Sequence, residues 1–449
     1  MGDPPRGIDT MKKVYIETYG CQMNVADTEL MVGLLAGEGY TRTENPSEAD
    51  VMLLNTCAVR DRAEQRVIGR MGDLKRHKRE GVVLGAVGCM AQRLGRRLLD
   101  EAPHVDLVVG PDGYRALPNL IAAAADGSRG AELEFKSWEH YEDIPQQRPE
   151  SARAFVTVQR GCDYRCTFCI VPMTRGRERS RKLEDVVAEV KALAEHGVTE
   201  VTLLGQTVNS YHDGTNDFAV LLGRVGSVSG IRRVRFTSPY PNDFTDSVVR
   251  AMAEVPTVCE HVHLPVQSGS SRVLSRMGRR YDRGAYLECV GRLRSAIPNL
   301  AITTDIIVGF PGETDTEFLE TESLVRAVEF DDAFTFKYSQ REGTGAVKLP
   351  DQVSEEIKGD RLERIISTVR AMARSKNAAL VGTTHEVLVE GPARRGSMVQ
   401  SRTRTNKVVL LEGEQSWIGR YMRVRLTGTT GATFTGVPVE TERRLAIVG

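Results

Sequence analysis

Between residues 152 and 376 the chain repeats one pattern six times, an apolar run of strand character followed by a helical stretch. The strand-like runs lie at 155–159, 200–204, 233–237, 261–266, 301–308 and 333–338, with helical stretches such as 183–196 and 314–328 between and after them. Strands alternating with helices predict a parallel sheet. A closed eight-unit barrel needs about 250 residues. Six units in this span therefore predict an open, partial (β/α)6 barrel over 148–379. Such folds keep their chemistry on the loops that follow the strands.

A second α/β unit precedes it. Apolar runs at 14–18, 51–55, 82–87 and 105–109 alternate with helical patterns and predict a parallel-sheet domain over 12–125. Residues 126–151 mix Gly, Pro, Glu and Gln and read as a linker. Over 382–445 the character changes. Five short β-like runs, at 386–389, 397–402, 407–411, 423–426 and 433–437, are separated by glycine-containing turns and predict a small closed β-barrel of OB-like type. A chain of 449 residues is too long for one core, so three α/β and β units are reasonable. No run of about 18 apolar residues suggests a membrane span, and Met1–Arg6 lacks the apolar stretch of a signal peptide. A cytoplasmic monomer is expected. In a reducing compartment, eight cysteines point to metal or redox use rather than disulfides.

The first barrel strand is followed by Arg160-Gly-Cys162-Asp-Tyr-Arg-Cys166-Thr-Phe-Cys169. The spacing C-x3-C-x2-C offers three thiolates where a 4Fe-4S cluster ordinarily takes four. A cube held this way leaves one iron open to a substrate or cofactor. A zinc site would need a second C-x2-C pair or suitably spaced histidines. Neither His196 nor His212 fits, and the next cysteine is Cys259. Three more cysteines, Cys21, Cys57 and Cys89, are far apart in sequence, yet each follows a strand-like run. In a parallel sheet those loops emerge at one edge, so three distant thiols converge. Taken singly, each reads as a small buried thiol. Taken together, they favour a second ligand set with an open iron. Cys259 and Cys289 show no such pattern and read as ordinary thiols.

Net charge is zero, but it is unevenly spread. Residues 160–182 carry seven basic against two acidic side chains, 60–79 eight against three, and 381–449 ten against six. Three basic runs, one on the cysteine loop itself, favour an anionic substrate over solvated faces. Arg175 and Arg177, alternating with Arg179 and Arg181, are candidates for phosphate or carboxylate contacts. In the small barrel, Arg402, Arg404 and Lys407 are candidates for RNA backbone contacts. Trp417, His261 and His263 read as core.

The cysteine loop resembles the signature of the radical S-adenosylmethionine (SAM) superfamily. That resemblance implies that the open iron chelates SAM and that Phe168 packs against its adenine. It also makes Gly309 and Gly312 of Gly309-Phe-Pro-Gly-Glu313 candidates for close backbone approach to SAM, with Glu313 beside them. Gln267 of Gln267-Ser-Gly-Ser270 is a candidate for lining the nucleoside. A tight strand-to-helix turn with Glu313 at the helix N-terminus is the plainer alternative for the first, and a polar turn for the second. The segments Glu17-Thr-Tyr-Gly-Cys-Gln-Met-Asn24, Asn55-Thr-Cys-Ala-Val-Arg60 and Gly88-Cys-Met-Ala-Gln92 resemble the N-terminal domain of the methylthiotransferases, and the C-terminal region resembles a TRAM domain, an RNA-binding module. Leu204-Gly-Gln-Thr-Val-Asn-Ser-Tyr211, Cys259-Glu-His-Val-His-Leu-Pro-Val-Gln-Ser-Gly-Ser270 and Asp305-Ile-Ile-Val-Gly-Phe-Pro-Gly-Glu313 are similar to the tRNA-2-methylthio-N6-dimethylallyladenosine synthases. Thr207 stands where that family usually has Asn, and Met173 where an aromatic is usual.

The resemblance implies two 4Fe-4S clusters and SAM. The cluster on Cys162, Cys166 and Cys169 would reduce SAM to a radical that takes hydrogen from carbon 2 of N6-isopentenyladenosine at position 37 of tRNA. The cluster on Cys21, Cys57 and Cys89 would present a methylated sulfur. The implied partners are the tRNA anticodon loop, an electron donor such as flavodoxin or ferredoxin, and a sulfur source. Two alternatives stay open. One is a sister methylthiotransferase acting on threonylcarbamoyl-adenosine in tRNA or on a ribosomal protein; the other is a non-catalytic iron-sulfur RNA-binding protein.

Overall fold

The computed structural model describes residues 11–58, 61–148, 150–394 and 396–439. Expectations for Met1–Arg6 and for 440–445 fall outside these residues. The N-terminal unit runs β1 (Lys12–Thr18), α1 (Gln22–Gly37), β2 (Tyr40–Arg42), β3 (Val51–Thr56), α2 (Asp61–Leu74), β4 (Val83–Gly88), α3 (Cys89–Leu94), α4 (Arg97–Glu101), β5 (Leu107–Val109), α5 (Leu117–Ala125) and β6 (Gly130–Glu132). Its six strands pair parallel in the order β2-β1-β3-β4-β5-β6. Every residue of β3 and β4 is buried, as in a sheet covered on both faces. One apolar cluster gathers Met52, Leu54, Val67, Leu84 and Leu98; another gathers Leu30, Leu35, Leu53, Val83 and Ile121.

The strand β6 corrects the reading of 126–151 as a linker. Gly130 pairs with Leu107, and further on Tyr141 is buried and donates its hydroxyl to the Pro111 carbonyl at 3.0 Å. A three-residue edge strand has too little pattern to be read from sequence.

The central unit contains β7 (Arg153–Thr157), β8 (Gln159–Arg160), α6 (Val171–Arg175), β9 (Arg179–Ser180), α7 (Leu183–Glu195), β10 (Glu200–Leu204), α8 (Phe218–Gly226), β11 (Arg233–Phe236), α9 (Asp246–Glu254), β12 (His261–His263), α10 (Ser271–Arg276), α11 (Arg283–Ala296), β13 (Ala301–Val308), α12 (Asp315–Val328), β14 (Asp332–Lys337) and α13 (Glu355–Ala379). Two parallel three-stranded sheets, β11-β10-β7 and β12-β13-β14, meet where Val258 bridges Val234. The result is six parallel strands in chain order. No pairing among the described residues joins β14 back to β7, so the barrel is the open one expected. Asp217, Thr245, Asp282 and Thr314 cap the helices they precede, satisfying amides that would otherwise lack acceptors.

Strands β15 (Thr384–Pro392), β16 (Met398–Thr403), β17 (Val408–Glu412), β18 (Tyr421–Thr429) and β19 (Thr433–Pro438) close into a barrel around Val387, Val399, Leu411, Leu426 and Phe434. Trp417 packs against this core. The small barrel sits at the opposite end of the large one from the cysteine loop. There Arg233 donates to the carbonyls of Arg402 and Glu386, and Arg235 to those of Arg404 and Thr403. At the other seam, Met23 and Ala26 of α1 pack on Leu204 and Phe155.

Candidate active site

The loop carrying Cys162, Cys166 and Cys169 is closed at its base by the β8–β9 pairing, Gln159 with Ser180 and Arg160 with Arg179. Gly161 has φ +76°, and a Cβ there would lie 1.9 Å from the Arg177 carbonyl oxygen, so only glycine lets the two arms approach. Thr167 pins the loop tip. Its amide donates to the Met277 carbonyl at 2.9 Å, its hydroxyl to that of Arg276 at 2.9 Å, and its carbonyl accepts from the Ala346 amide at 2.8 Å.

The three cysteines line one cavity of about 1000 Å³ at the C-terminal ends of the strands, together with Gln206, Ser238, Gln267, Ile307 and Tyr338. Ser238 and Gln267 hold φ of +58° and +70°. Such backbone outliers concentrate at binding sites, where the surroundings enforce them. Burial pushes the Cys162 thiol up to about 11 and Cys169 up to about 12, so iron would have to displace their protons. Arg279 supplies the compensating charge. Its Nη1 lies 3.3 Å from Cys166 Sγ, and its guanidinium stacks on Tyr240 at 4.3 Å and Tyr281 at 5.0 Å. Among the described residues no three His, Cys, Asp or Glu side chains close on a single metal ion. A cube spreads its thiolates more widely than one ion does. Three convergent thiols, an open cavity and a half-buried cation fit a 4Fe-4S cluster.

Phe168 lines the same cavity and meets Phe310 edge-on at 6.4 Å. Gly309, Gly312 and Glu313 are not in the cavity wall. Gly309 backs onto Lys358 and Gly312 onto Arg276, while Glu313 is buried, accepting from the Gly309 amide at 2.6 Å and Arg361 Nη1 at 2.8 Å. This is the plain strand-to-helix turn. It braces the cavity wall from behind.

Cys21, Cys57 and Cys89 do converge. The register pairs Thr18 with Asn55 and Thr56 with Gly88, so β1, β3 and β4 end level and each is followed within three residues by a cysteine. Buried Asn24 and Asn55 tie the loops together. Asn24 Nδ2 donates to Asn55 Oδ1 at 3.0 Å and to the Thr56 carbonyl at 3.1 Å; Asn55 Nδ2 donates to the Asn24 carbonyl at 2.7 Å. A Cβ on Gly20 would lie 2.6 Å from that of Cys57. Cys89 packs with Ala58 and Ile170, the residue after Cys169, so the second set faces the first across the domain seam. Burial pushes the Cys89 thiol up, and Arg175 opposes the rise. Cys259 and Cys289 are buried elsewhere, as expected.

The candidate RNA-contacting residues are placed differently. Arg175 is buried against Asp27, with Arg160 on the other carboxylate oxygen, at 2.7 and 3.0 Å. Arg179 pairs with Asp112 and Arg181 with Glu189. Only Arg177 faces solvent, where it pairs with Asp163. Arg402 pairs with Glu390, Arg404 with Glu260, and Lys407 with Asp331. The first of these is internal to the small barrel; the other two clamp it to the large one. These basic residues pair with acids of the protein itself, which a count of charges along the chain cannot show. By contrast Arg423 and Arg425 project outward from β18, alternating with the buried Val424 and Leu426.

Tyr164, Tyr240 and Arg341 were not singled out from the sequence, and His263, read there as core, is a half-buried residue of the cavity wall. Tyr164 stacks on Tyr240 with ring centroids 3.8 Å apart, His263 Nε2 lies 3.3 Å from Asp305, and Arg341 reaches the Ala58 carbonyl at 2.6 Å. The run Arg279-Arg280-Tyr281 was the available signal for the first group.

An open (β/α)6 barrel with a C-x3-C-x2-C loop at its mouth defines a radical SAM protein. The model of the Radical SAM superfamily matches residues 156–325, that of the Uncharacterized protein family UPF0004 matches 13–110, and that of the TRAM domain matches 378–439. The chain is 45% identical over 439 residues to a tRNA-2-methylthio-N(6)-dimethylallyladenosine synthase of Thermoanaerobacter sp. (strain X514), covering 96% of this chain and 93% of the relative. It is 46% identical over 430 residues to that of Moorella thermoacetica, covering 94% and 97%. The chain belongs to the family of tRNA-2-methylthio-N(6)-dimethylallyladenosine synthases. Its fold is similar to that of the radical SAM methyltransferase TsrM from Kitasatospora setae, with a TM-score of 0.57 at 15% identity over 75% of this chain and 77% of that one. The cobalamin-dependent radical SAM enzyme OxsB gives 0.54 at 10% identity over 81% and 58%.

Proposed function

We propose that this chain is a tRNA methylthiotransferase that adds a methylthio group to carbon 2 of N6-isopentenyladenosine at position 37. The observation that carries the reading is the meeting of two three-cysteine sets at one domain seam, the first of them lining the barrel cavity. Radical SAM membership brings a 4Fe-4S cluster and SAM. In this reading Cys162, Cys166 and Cys169 hold that cluster, and Cys21, Cys57 and Cys89 hold a second. When bound, these groups supply the hydrogen-abstracting radical and the sulfur.

The chain's own residues position and exclude. Phe168 offers SAM an apolar edge, and Arg279 neutralises thiolate charge beside it. Tyr164, Tyr240, Ser238 and Gln267 shape the opening through which a base splayed from the anticodon loop enters. The His263–Asp305 pair gives the cavity floor a polar, hydrogen-bonding surface. Electrons come from a donor such as flavodoxin or ferredoxin, and a separate source replaces the sulfur. Exposed Arg177, Arg423 and Arg425 offer phosphate contacts. No helix among the described residues is long and apolar enough to cross a membrane; the reading places the enzyme in the cytoplasm, as a monomer, with its tRNA.

The reconstituted enzyme, assayed on matched tRNAs bearing adenosine, isopentenyladenosine or threonylcarbamoyl-adenosine, is expected to methylthiolate the second. Burying the five-carbon group at about 0.8 kcal/mol per CH2 selects it over plain adenosine by about 100-fold or more. Equal turnover on all three removes the specificity claim.

A further inference from the structure

Resting on the reading of Cys21, Cys57 and Cys89 as a second cluster site, we propose that Arg175 is a positioning residue for that site, its guanidinium donating to the ligating sulfur of Cys89. Arg175 ends α6, the short helix that begins just after Cys169, and its side chain is 4% exposed. Phosphate cannot reach it there.

Its partners leave one edge unused. Nη2 donates to Asp27 Oδ2 at 2.7 Å, while the other carboxylate oxygen takes Arg160 Nη1 at 3.0 Å and Tyr114 approaches Oδ2 at 3.3 Å. Nη1 is buried with no hydrogen-bond partner among the described residues. A buried donor without an acceptor is costly and rare. The charge is also unbalanced. Two buried guanidinium groups share one carboxylate, a net of one positive charge, and arginine does not release its proton to relieve it. Around its guanidinium stand Asp27, Cys89, Tyr114 and Cys21, and α6 packs directly on α3, the helix that opens with Cys89. Asp27 is already shared, and a tyrosine whose own ionisation is suppressed by burial adds no anion. Two thiols remain. Ligated to iron they are anionic, and Cys89 then supplies both the missing acceptor and the missing charge. Because α6 starts beside the first thiol set and ends beside the second, one five-residue helix fixes the spacing of the two.

The test uses the full chain with Cys162, Cys166 and Cys169 replaced by Ala, so that only the second site loads with iron. This parent is compared with Arg175→Gln, Arg175→Lys and Arg160→Gln, each reconstituted anaerobically. About four irons per chain are expected in the parent. Arg175→Gln is expected to lower the midpoint potential and alter the EPR signal of the reduced cluster, because a cationic donor to sulfur favours reduction. Arg175→Lys should fall between it and the parent. Arg160→Gln weakens the same Asp27 clamp and should shift the potential less than Arg175→Gln does. Unchanged potential and EPR signal in Arg175→Gln overturn the inference, as does an equal shift in Arg160→Gln, which would mark a purely structural role. Should Arg175→Gln fail to fold, an Arg175→Lys potential identical to the parent's overturns it. A parent that binds no iron removes the second-cluster reading itself, and this inference with it.

Discussion

Asp27 is the single residue on which the seam between the first two domains most depends. It is fully buried and pairs with both Arg160 and Arg175. Removing one member of a buried ionic cluster typically costs about 3–5 kcal/mol, because the partners stay buried and uncompensated. Asp27→Asn is therefore expected to lower the thermal midpoint sharply; a shift no larger than that of a surface substitution would show that water reaches the cluster. Glu313 makes a different prediction. Burial pushes its carboxyl up to about 7 from an ordinary 4.5, against the pull of the Gly309 amide and Arg361. The native state thus holds a proton that the unfolded chain releases, and this group's contribution to stability falls as pH rises from about 4.5 to about 7. Glu313→Gln removes that slope, so parent and variant midpoints should converge or cross through this window, with the parent losing ground as pH rises. Parallel curves would place the proton elsewhere. Neither behaviour was legible in the sequence. Asp27 is one acidic residue on a largely buried helix, and its importance comes from two arginines more than 130 positions away. Glu313 was seen, but as a SAM neighbour; only packing shows that it faces Arg361.

At the scale of elements, periodicity carried far. All six barrel strands and all five strands of the small barrel were readable, because each alternates or clusters apolar residues over at least three positions and ends at a turn. The short edge strands β2 and β6 were not. Their pairing is imposed by neighbours, with no apolar face of their own to announce it. The convergence of Cys21, Cys57 and Cys89 was legible for the same reason as the strands, since parallel strands of like register present their ends together. What sequence could not give is which side of a strand meets another domain. The β16–β17 turn, with Arg404 and Lys407, is a dock for the large barrel. Neutralising Arg402, Arg404 and Lys407 should accordingly leave the salt dependence of tRNA affinity nearly unchanged. Neutralising Arg423 and Arg425 on β18 should flatten it, by about 0.7–0.9 per lost phosphate contact. Titrations at several salt concentrations separate the two, and a flattened slope only in the first variant would return the RNA surface to the turn.

Across the whole molecule, both seams between the three units carry buried charge. Arg233 is fully buried beneath the small barrel, reading the Arg402 and Glu386 carbonyls, with Glu200 beside it. Deleting residues from 382 onward would strip acceptors from Arg233 and Arg235 and open the base of the large barrel to water. The truncated chain is expected to lose thermal stability as well as tRNA affinity, and its uncoupled SAM cleavage to decay faster on warming than that of the full chain. An unchanged midpoint would mean that the two barrels are energetically independent. The level ending of β1, β3 and β4 has a bearing on how such a protein matures. Cys162, Cys166 and Cys169 are neighbours along the chain, so a single loop brings them together. Cys21, Cys57 and Cys89 belong to three separate turns of the chain, and they form a binding site only after the sheet has closed in register. Iron at the first set reports that a loop has been made; iron at the second reports that a domain has been finished, and a strand slipped by one residue would be registered as a metal deficiency before it was noticed as a misfolded protein.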